Sequence, residues 1–563
     1  MTGKHGFYAR LGFSNLRKNG TFYLPSILTG TGLLACFYIV LTLGADERLQ
    51  NVRGGDYLPV FMGVGAVVIG LLSLILLFYT NGFLMRERTG EYGLYHVLGL
   101  EKKHICRISF FETLYCALFV TVAGLALGIV FYKACSLLLC RLLGVDLVPG
   151  FYFLTLPTML PAALVFIGIY LLCFLYNCLR LNRTVTASLL RAKSQGEREP
   201  HVKWGMLITG IVTLAGGYTI AVTVKNPLSA LLLFFVAVFL VIIGTYCLFI
   251  AGSVFVLKKL KNNRRYYYHK RRFTVVANLL HRMKQNAAGL ASVCILATGV
   301  LVMLSSTTGL YAGMGDVLAA RFPRDVVFSL EIGTDESNYV SLPDEVLRAM
   351  MEKAAADAGL TVGTMEFTAV RDVLGEETRV LAADFTDARA AELSCDRIID
   401  SLWAQINETV ASMEDIDGYY AYVDNVWDSR GELVGMYSCF LFLGIILGTV
   451  CLFATALIIY YKQIAEGYED RPRFQTMKKI GMTDTEIRRT VRAGTLIVFF
   501  LPLVTAGIHA AFAFPMICKL LHLLLLADTR TFVIGSLFTY AAFALVYTLI
   551  YFGTARTYVK IVN

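Results

Sequence analysis

The stretch LVGMYSCFLFLGIILGTVCLFATALIIYY (433–461) holds no charged residue, and KQIAEGYEDRPRFQTMKKIGM (462–482) follows it directly. About 20 consecutive apolar residues suffice to cross a bilayer as a helix. The first stretch therefore reads as a membrane span and the second as the basic loop that leaves it. Working outward, comparable apolar runs fall at 22–44, 58–84, 108–132, 157–179, 205–224, 228–256, 287–312, 493–516 and 531–553. The predicted fold class is an all-α polytopic membrane protein of ten spans. The bulk composition of the 563 residues agrees, with 56% hydrophobic residues, 16% charged residues and a mean hydropathy of +0.62. A soluble chain would carry about 25% charge.

Ten spans put both termini on one side, and Lys and Arg decide which side. Of the 51 such residues, 35 lie in segments on the side of the termini and 7 in the opposite short loops. The remaining 9 lie in the long insert at 316–432. Both termini are thus expected in the cytoplasm of a bacterial cell, with the insert extracellular. The first twenty residues are polar and basic, and the run after them is long enough to remain as an anchor, so a cleaved signal peptide is not expected. Twelve of the 13 cysteines lie in or beside apolar runs and no C-x-x-C occurs, which argues against a disulfide framework or a zinc site.

The insert carries 25 Asp and Glu against 9 Lys and Arg, so its net charge is −16 and that of the rest of the chain +26. Periodicity predicts strands at 326–332, 378–383 and 419–423 and helices at 343–359 and 387–410. About 117 residues suffice for one small α+β domain. The predicted organisation is an amphipathic N-terminus (1–21) with a modest stripe of Phe7, Tyr8, Leu11 and Leu16, a first span and loop (22–57) and a three-helix unit (58–180). Spans five to seven (181–315) follow with a basic loop at 257–285, then the extracellular domain (316–432) and a second three-helix unit (433–563).

The two units look like a duplication. A shift of 382 residues lays GLEKKHICR (99–107) over GMTDTEIRR (481–489), matching at Gly, Ile and Arg, and sets Tyr79 on Tyr461. Each loop is expected to hold a short helix with its own caps. In the first, Thr89 caps, Tyr92, Tyr95 and Leu98 share a face and Gly99 stops the helix. In the second, Asp470 caps, Pro472 suits the first turn, Phe474, Met477 and Ile480 share a face and Gly481 stops it. Such a helix lies on lipid, docks in a partner's groove or merely covers the end of the bundle.

RERTGEYGLYHVLGL (86–100) resembles the coupling-helix region of FtsX/MacB-class ABC-transporter permeases. FTVVANLLHRMKQNAAGLASVCILAT (273–298), TGLYAGMGDVLAARFPRD (308–325), ATALIIYYKQIAEGYEDRPRFQTMKKIGM (454–482) and FFLPLVTAGIHAAFAFPM (499–516) resemble the bacitracin-resistance (Bce-type) permeases, and LLRAKSQGEREP (189–200) also fits. The resemblance implies ten helices, two of the spans framing the extracellular domain, and a cytoplasmic ATPase that holds the ATP and Mg. Two copies of that ATPase are expected, one per coupling loop. It further implies a peptide antibiotic or an isoprenoid-linked lipid as ligand, and often a membrane sensor histidine kinase. The insert is shorter than the extracellular domain usual in the family.

No G-x-x-x-x-G-K-[ST], H-E-x-x-H or G-x-S-x-G occurs, so no catalytic residue, metal or cofactor is expected in this chain. The residues expected to meet the ATPase are Glu91, Tyr92, Tyr95, Leu98 and Gly99 in the first loop and Glu469, Asp470, Phe474, Met477 and Gly481 in the second. The acidic ones equally suit helix N-termini. Lys258, Lys259, Arg264, Arg265, Arg271 and Arg272 form a basic block beside a span, read as contact with anionic lipid or a kinase rather than nucleic acid. Two polar residues fall inside spans. Glu112 serves either a structural role beside the loop or mechanical coupling, and His509 is either a neutral hydrogen-bonder or a proton relay. The alternative function is an FtsX-like signal transmitter acting on an extracellular partner such as a cell-wall hydrolase.

Overall fold

The computed structural model describes residues 2–52, 54–145, 156–183, 201–224, 227–268, 272–335, 338–371, 377–413, 418–479, 481, 483–523 and 529–562. Ten helices among them are long and apolar enough to cross a membrane, the number read from the hydropathy. The N-terminal helix α1 (Thr2–Lys18) leads into α2 (Gly20–Gly44), α3 (Leu58–Glu87), the short α4 (Thr89–Val97), α5 (Lys102–Leu143) and α6 (Leu156–Arg183). Next come α7 (Trp204–Thr223) and α8 (Pro227–Cys247). A π-turn at Leu248–Gly252 joins α8 to α9 (Ser253–Asn262), and α10 (Arg272–Ala312) follows. The last three helices are α14 (Val426–Lys479), α15 (Asp484–Leu523) and α16 (Thr529–Val562).

The helices assemble as two groups. α2 is the axis of the first, packed against α3, α5 and α6, with α1 laid across α5. Every residue from Leu33 to Val40 is buried, so no side of this helix faces lipid there. α10 holds the matching place in the second group, against α14, α15 and α16. α14 also packs on α2 and α3 and so joins the groups, while the α7–α8 hairpin leans on α10 and α15. Each three-helix unit is thus completed by the helix that precedes it.

Between α10 and α14 the insert begins with α11 (Met314–Arg321) and folds as α+β. Strands β1 (Val326–Asp335), β2 (Asn338–Ser341), β3 (Val362–Arg371), β4 (Glu377–Phe385) and β5 (Gly418–Asn425) are all antiparallel, with β1 paired to β4, β5 and β2 and β3 to β4. α12 (Asp344–Asp357) and α13 (Cys395–Ala411) cover one face. There Val326, Phe328 and Leu330, which alternate along β1, meet Leu347, Met351, Ile398 and Leu402. Two features depart from the sequence expectation. β2 and β3 were not anticipated. The helix expected at 387–410 breaks at Ser394, where Asp387 caps a separate short helix, Ala388–Leu393.

β5 passes into α14 without a loop, and the Val426 N–H donates to the Asp325 carbonyl beside it. At 1.5 Å per residue, the 54 residues of α14 span about 80 Å. This helix therefore crosses the whole bundle from the insert to the far, basic face. The expected separate helix in the second loop is corrected by this continuity, because Asp470 and Pro472 both lie inside α14. Pro472 removes the N–H that would serve the Tyr468 carbonyl. Both residues are exposed, and the helix continues through Pro472 to Lys479.

Candidate functional site

The basic face of the bundle carries both repeated loops. In the first, Arg88 joins α3 to α4 and its side chain turns inward, 2% exposed. Nη1 donates to the Tyr23 hydroxyl at 2.7 Å and to the Glu112 carboxylate, and Nε pairs with Glu91 at 3.2 Å. The guanidinium lies over the Tyr92 ring at 4.8 Å. Glu112, 3% exposed, also accepts from Asn15 Nδ2 at 2.8 Å and from the Tyr92 hydroxyl at 3.4 Å. A buried charge persists only when paired and hydrogen-bonded. Asn15, Tyr23, Glu91 and Tyr92, from three helices, serve this pair, while Arg88 Nη2 has no hydrogen-bond partner among the described residues. Burial, followed by the Glu112 carboxylate, pushes the Tyr92 phenol well up, which keeps it a donor. Asn19 Nδ2 reaches Glu91 at 3.1 Å, and the Tyr95 hydroxyl donates to Asn15 at 3.3 Å. Beside Arg88 lies a cavity of about 40 Å³, lined also by Tyr170 and the amide pair Asn81 and Asn177.

This geometry corrects the expected docking stripe. Tyr92 packs with Met85, Ile105 and Leu181, and Tyr95 is half-buried beside them. The exposed apolar residues are Leu94, Val97 and Leu98, the last 71% exposed. They stand at i, i+3 and i+4, which makes one helical face. That spacing was visible in the sequence, but the aromatic stripe beside it was the more conspicuous. Arg88 was also missed. Its signal was Glu112 itself, since an acid inside a span calls for a cation at the same depth.

In the second loop Phe474 is 4% exposed and Asp470 3%. Phe474 is thus turned inward like Tyr92, the residue 382 positions before it. The stops also correspond. Gly99 and Gly481 hold φ of +91° and +104°, a left-handed conformation that glycine adopts without steric cost. Their N–H groups donate to the carbonyls of His96 and Lys478 at 3.0 and 3.1 Å, again 382 residues apart. Thr483 and Glu486 then form a reciprocal capping box that starts α15. In the first loop, by contrast, Thr89 does not cap. It lies in the first turn of α4 and donates to the Met85 carbonyl. The side chains of Glu469, Met477 and Arg272, the whole of Arg271 and the 189–200 stretch lie outside the described residues.

Lys259, Arg264 and Arg265 are exposed at the end of α9 and just beyond, and Lys258 is half-buried. His509 is buried in α15 between α7 and α8. Tyr218 meets its Nδ1 at 2.6 Å and Thr245 its Nε2 at 3.0 Å. Thr245 spends its own proton on the Val241 carbonyl, so it accepts from Nε2–H while Nδ1 accepts from Tyr218. A neutral ring is therefore fully satisfied.

The family model of the FtsX-like permease C-terminal region matches residues 63–185, the stretch that carries α4 and the Arg88–Glu112 pair. The ABC transporter permease protein YxdM of Bacillus subtilis is 20% identical over 90% of this chain and 93% of its own length. The bacitracin export permease protein BceB of Halalkalibacterium halodurans is 25% identical over 53% of this chain and 46% of its own. The protein of that name in Bacillus subtilis is 20% identical over 89% and 92%. The resemblance drawn from the loop and span motifs is thereby confirmed.

Proposed function

We propose that this chain, an FtsX-like permease of the ABC-transporter class, couples ATP hydrolysis in a separate cytoplasmic subunit to the removal of a peptide antibiotic. Either the drug itself or its isoprenoid-linked lipid target is handled at the outer side of the membrane. Both termini and both repeated loops are cytoplasmic in this reading, and the acidic insert is extracellular. The observation that carries the proposal is α14, a single helix from the last strand of the insert to Lys479 in the second loop. A rigid element of that length transmits displacement from one membrane face to the other without needing a second moving part. The two relatives named as bacitracin export permeases supply the class of ligand.

The exposed Leu94, Val97 and Leu98 face takes the groove of one ATPase copy and the end of α14 takes a second, with ATP and Mg held there and not in this chain. The basic block around Arg264 and Arg265 holds inner-leaflet lipid or a sensor kinase. A bacterial strain lacking its own resistance system and expressing the permease with its ATPase partner should gain bacitracin resistance. Native mass spectrometry should show one permease with two ATPases, and a cysteine introduced near residue 400 should label from outside intact cells. Two permeases per complex, or labelling only after lysis, would overturn the respective part.

A further inference from the structure

The two loops approach each other through a short piece of chain that belongs to neither. Residues 19–23 form the entry to α2, and they are bonded on both sides. Toward the first loop, Asn19 holds Glu91 at 3.1 Å, and the Tyr23 hydroxyl takes Arg88 Nη1 at 2.7 Å while facing Glu112 at 3.5 Å. Toward the second, the Tyr461 hydroxyl of α14 donates to the Phe22 carbonyl at 2.6 Å and that of Tyr460 to the Thr21 carbonyl at 3.3 Å. The ring of Phe22 meets Phe83 of α3 at 6.3 Å and Tyr468 of α14 at 5.9 Å, and Phe83 meets Tyr461 at 4.4 Å.

A helical carbonyl normally already accepts one N–H and has a single lone pair left. Here Pro25 lies inside α2 and has no N–H, so the carbonyl four residues back, that of Thr21, is left without its helical donor. The proline thus exposes an acceptor on the side where Tyr460 arrives. Phe22, one residue on, offers the shorter and better shielded bond to Tyr461.

We infer that residues 19–23 are a positioning bridge between the two loops, so that displacement of α4 is carried through Arg88, Tyr23 and the Phe22 carbonyl to α14. The meaning of the bridge for transport rests on the loops being ATPase docking sites, but its existence does not. Coupling between two sites is reciprocal in free energy. Weakening the contacts at either end is therefore expected to loosen the other.

The test is hydrogen–deuterium exchange on the full-length permease alone, in lipid nanodiscs. Tyr461→Phe removes one hydroxyl and keeps the ring. It should speed exchange in residues 86–100, on the opposite unit, by about three- to tenfold, as losing one hydrogen bond allows. Asn19→Ala should do the same in residues 460–479. Tyr547→Phe is the control, since that hydroxyl likewise donates to a backbone carbonyl, Phe499, at 2.8 Å but within the second group. It should leave residues 86–100 unchanged. Faster exchange confined to the mutated unit, or an equal effect of the Tyr547 control, would overturn the bridge. Because the ATPase is absent, failure of ATPase capture bears on the docking proposal and not on this result.

Discussion

The two repeated loops share a frame and differ in what fills it. Both end at a left-handed glycine, and both turn an aromatic residue inward, Tyr92 and Phe474. Yet the first is a separate nine-residue helix after a break at Arg88, whereas the second is the tail of a 54-residue helix. Arg88 corresponds to Asp470 and Glu112 to Gly494 under the shift of 382. The first loop is thus held by a buried ion pair to α5 and the N-terminal segment, and the second by continuity with α14. One loop is tethered by side chains from other helices, and the other is the end of a single long helix.

The largest test of that contrast is Glu112→Ala. Breaking a buried pair leaves Arg88 uncompensated and costs about 3–5 kcal/mol, which thermal unfolding of the solubilised permease should register. Arg88→Met with Glu112→Leu should recover most of the loss, and an unchanged midpoint in Glu112→Ala would erase the distinction between the loops. Next, Phe474→Ala and Tyr92→Ala should each cost about 3 kcal/mol of stability, because both truncate buried aromatic side chains. Loss of ATPase capture at full stability would instead place these rings in the interface.

A smaller effect belongs to the exposed face of the first loop. Leu94→Ala combined with Leu98→Ala should leave stability unchanged and weaken ATPase capture by about 2 kcal/mol, measured by pull-down at equal permease level. Gly99→Ala and Gly481→Ala should then cost about 1 kcal/mol each, since an alanine pays for a left-handed backbone. Equal losses would confirm that the two stops are equivalent, and an effect at only one would show that the frame is not shared. Glu91→Gln should be the mildest, about 0.5 kcal/mol or less, because Glu91 is 41% exposed and its ion pair is screened.

Hydropathy determined the number of spans and their order in the chain, because the bilayer imposes one local demand, about 20 apolar residues, on every crossing. Strand patterning found β1, β4 and β5 of the insert but missed β3. Its sequence, VGTMEFTAVR (362–371), mixes apolar residues with Gly, Thr, Glu and Arg and takes its shape from pairing with β4. The shift of 382 likewise located both loops and their glycine stops, since a stop is a property of one residue and its own backbone.

Tertiary structure alone decided which face of the first loop is free. On so short a helix the aromatic and aliphatic stripes lie side by side. What settles the choice is the Arg88–Glu112 pair beneath one of them, assembled from residues 24 positions apart in sequence. It decided equally that Pro472 does not end α14, which continues to Lys479. Pro25, the same residue type, exposes a carbonyl that a tyrosine from the other unit takes up. A local signal fixes what a segment can do, and the atoms brought against it fix which of those things it does.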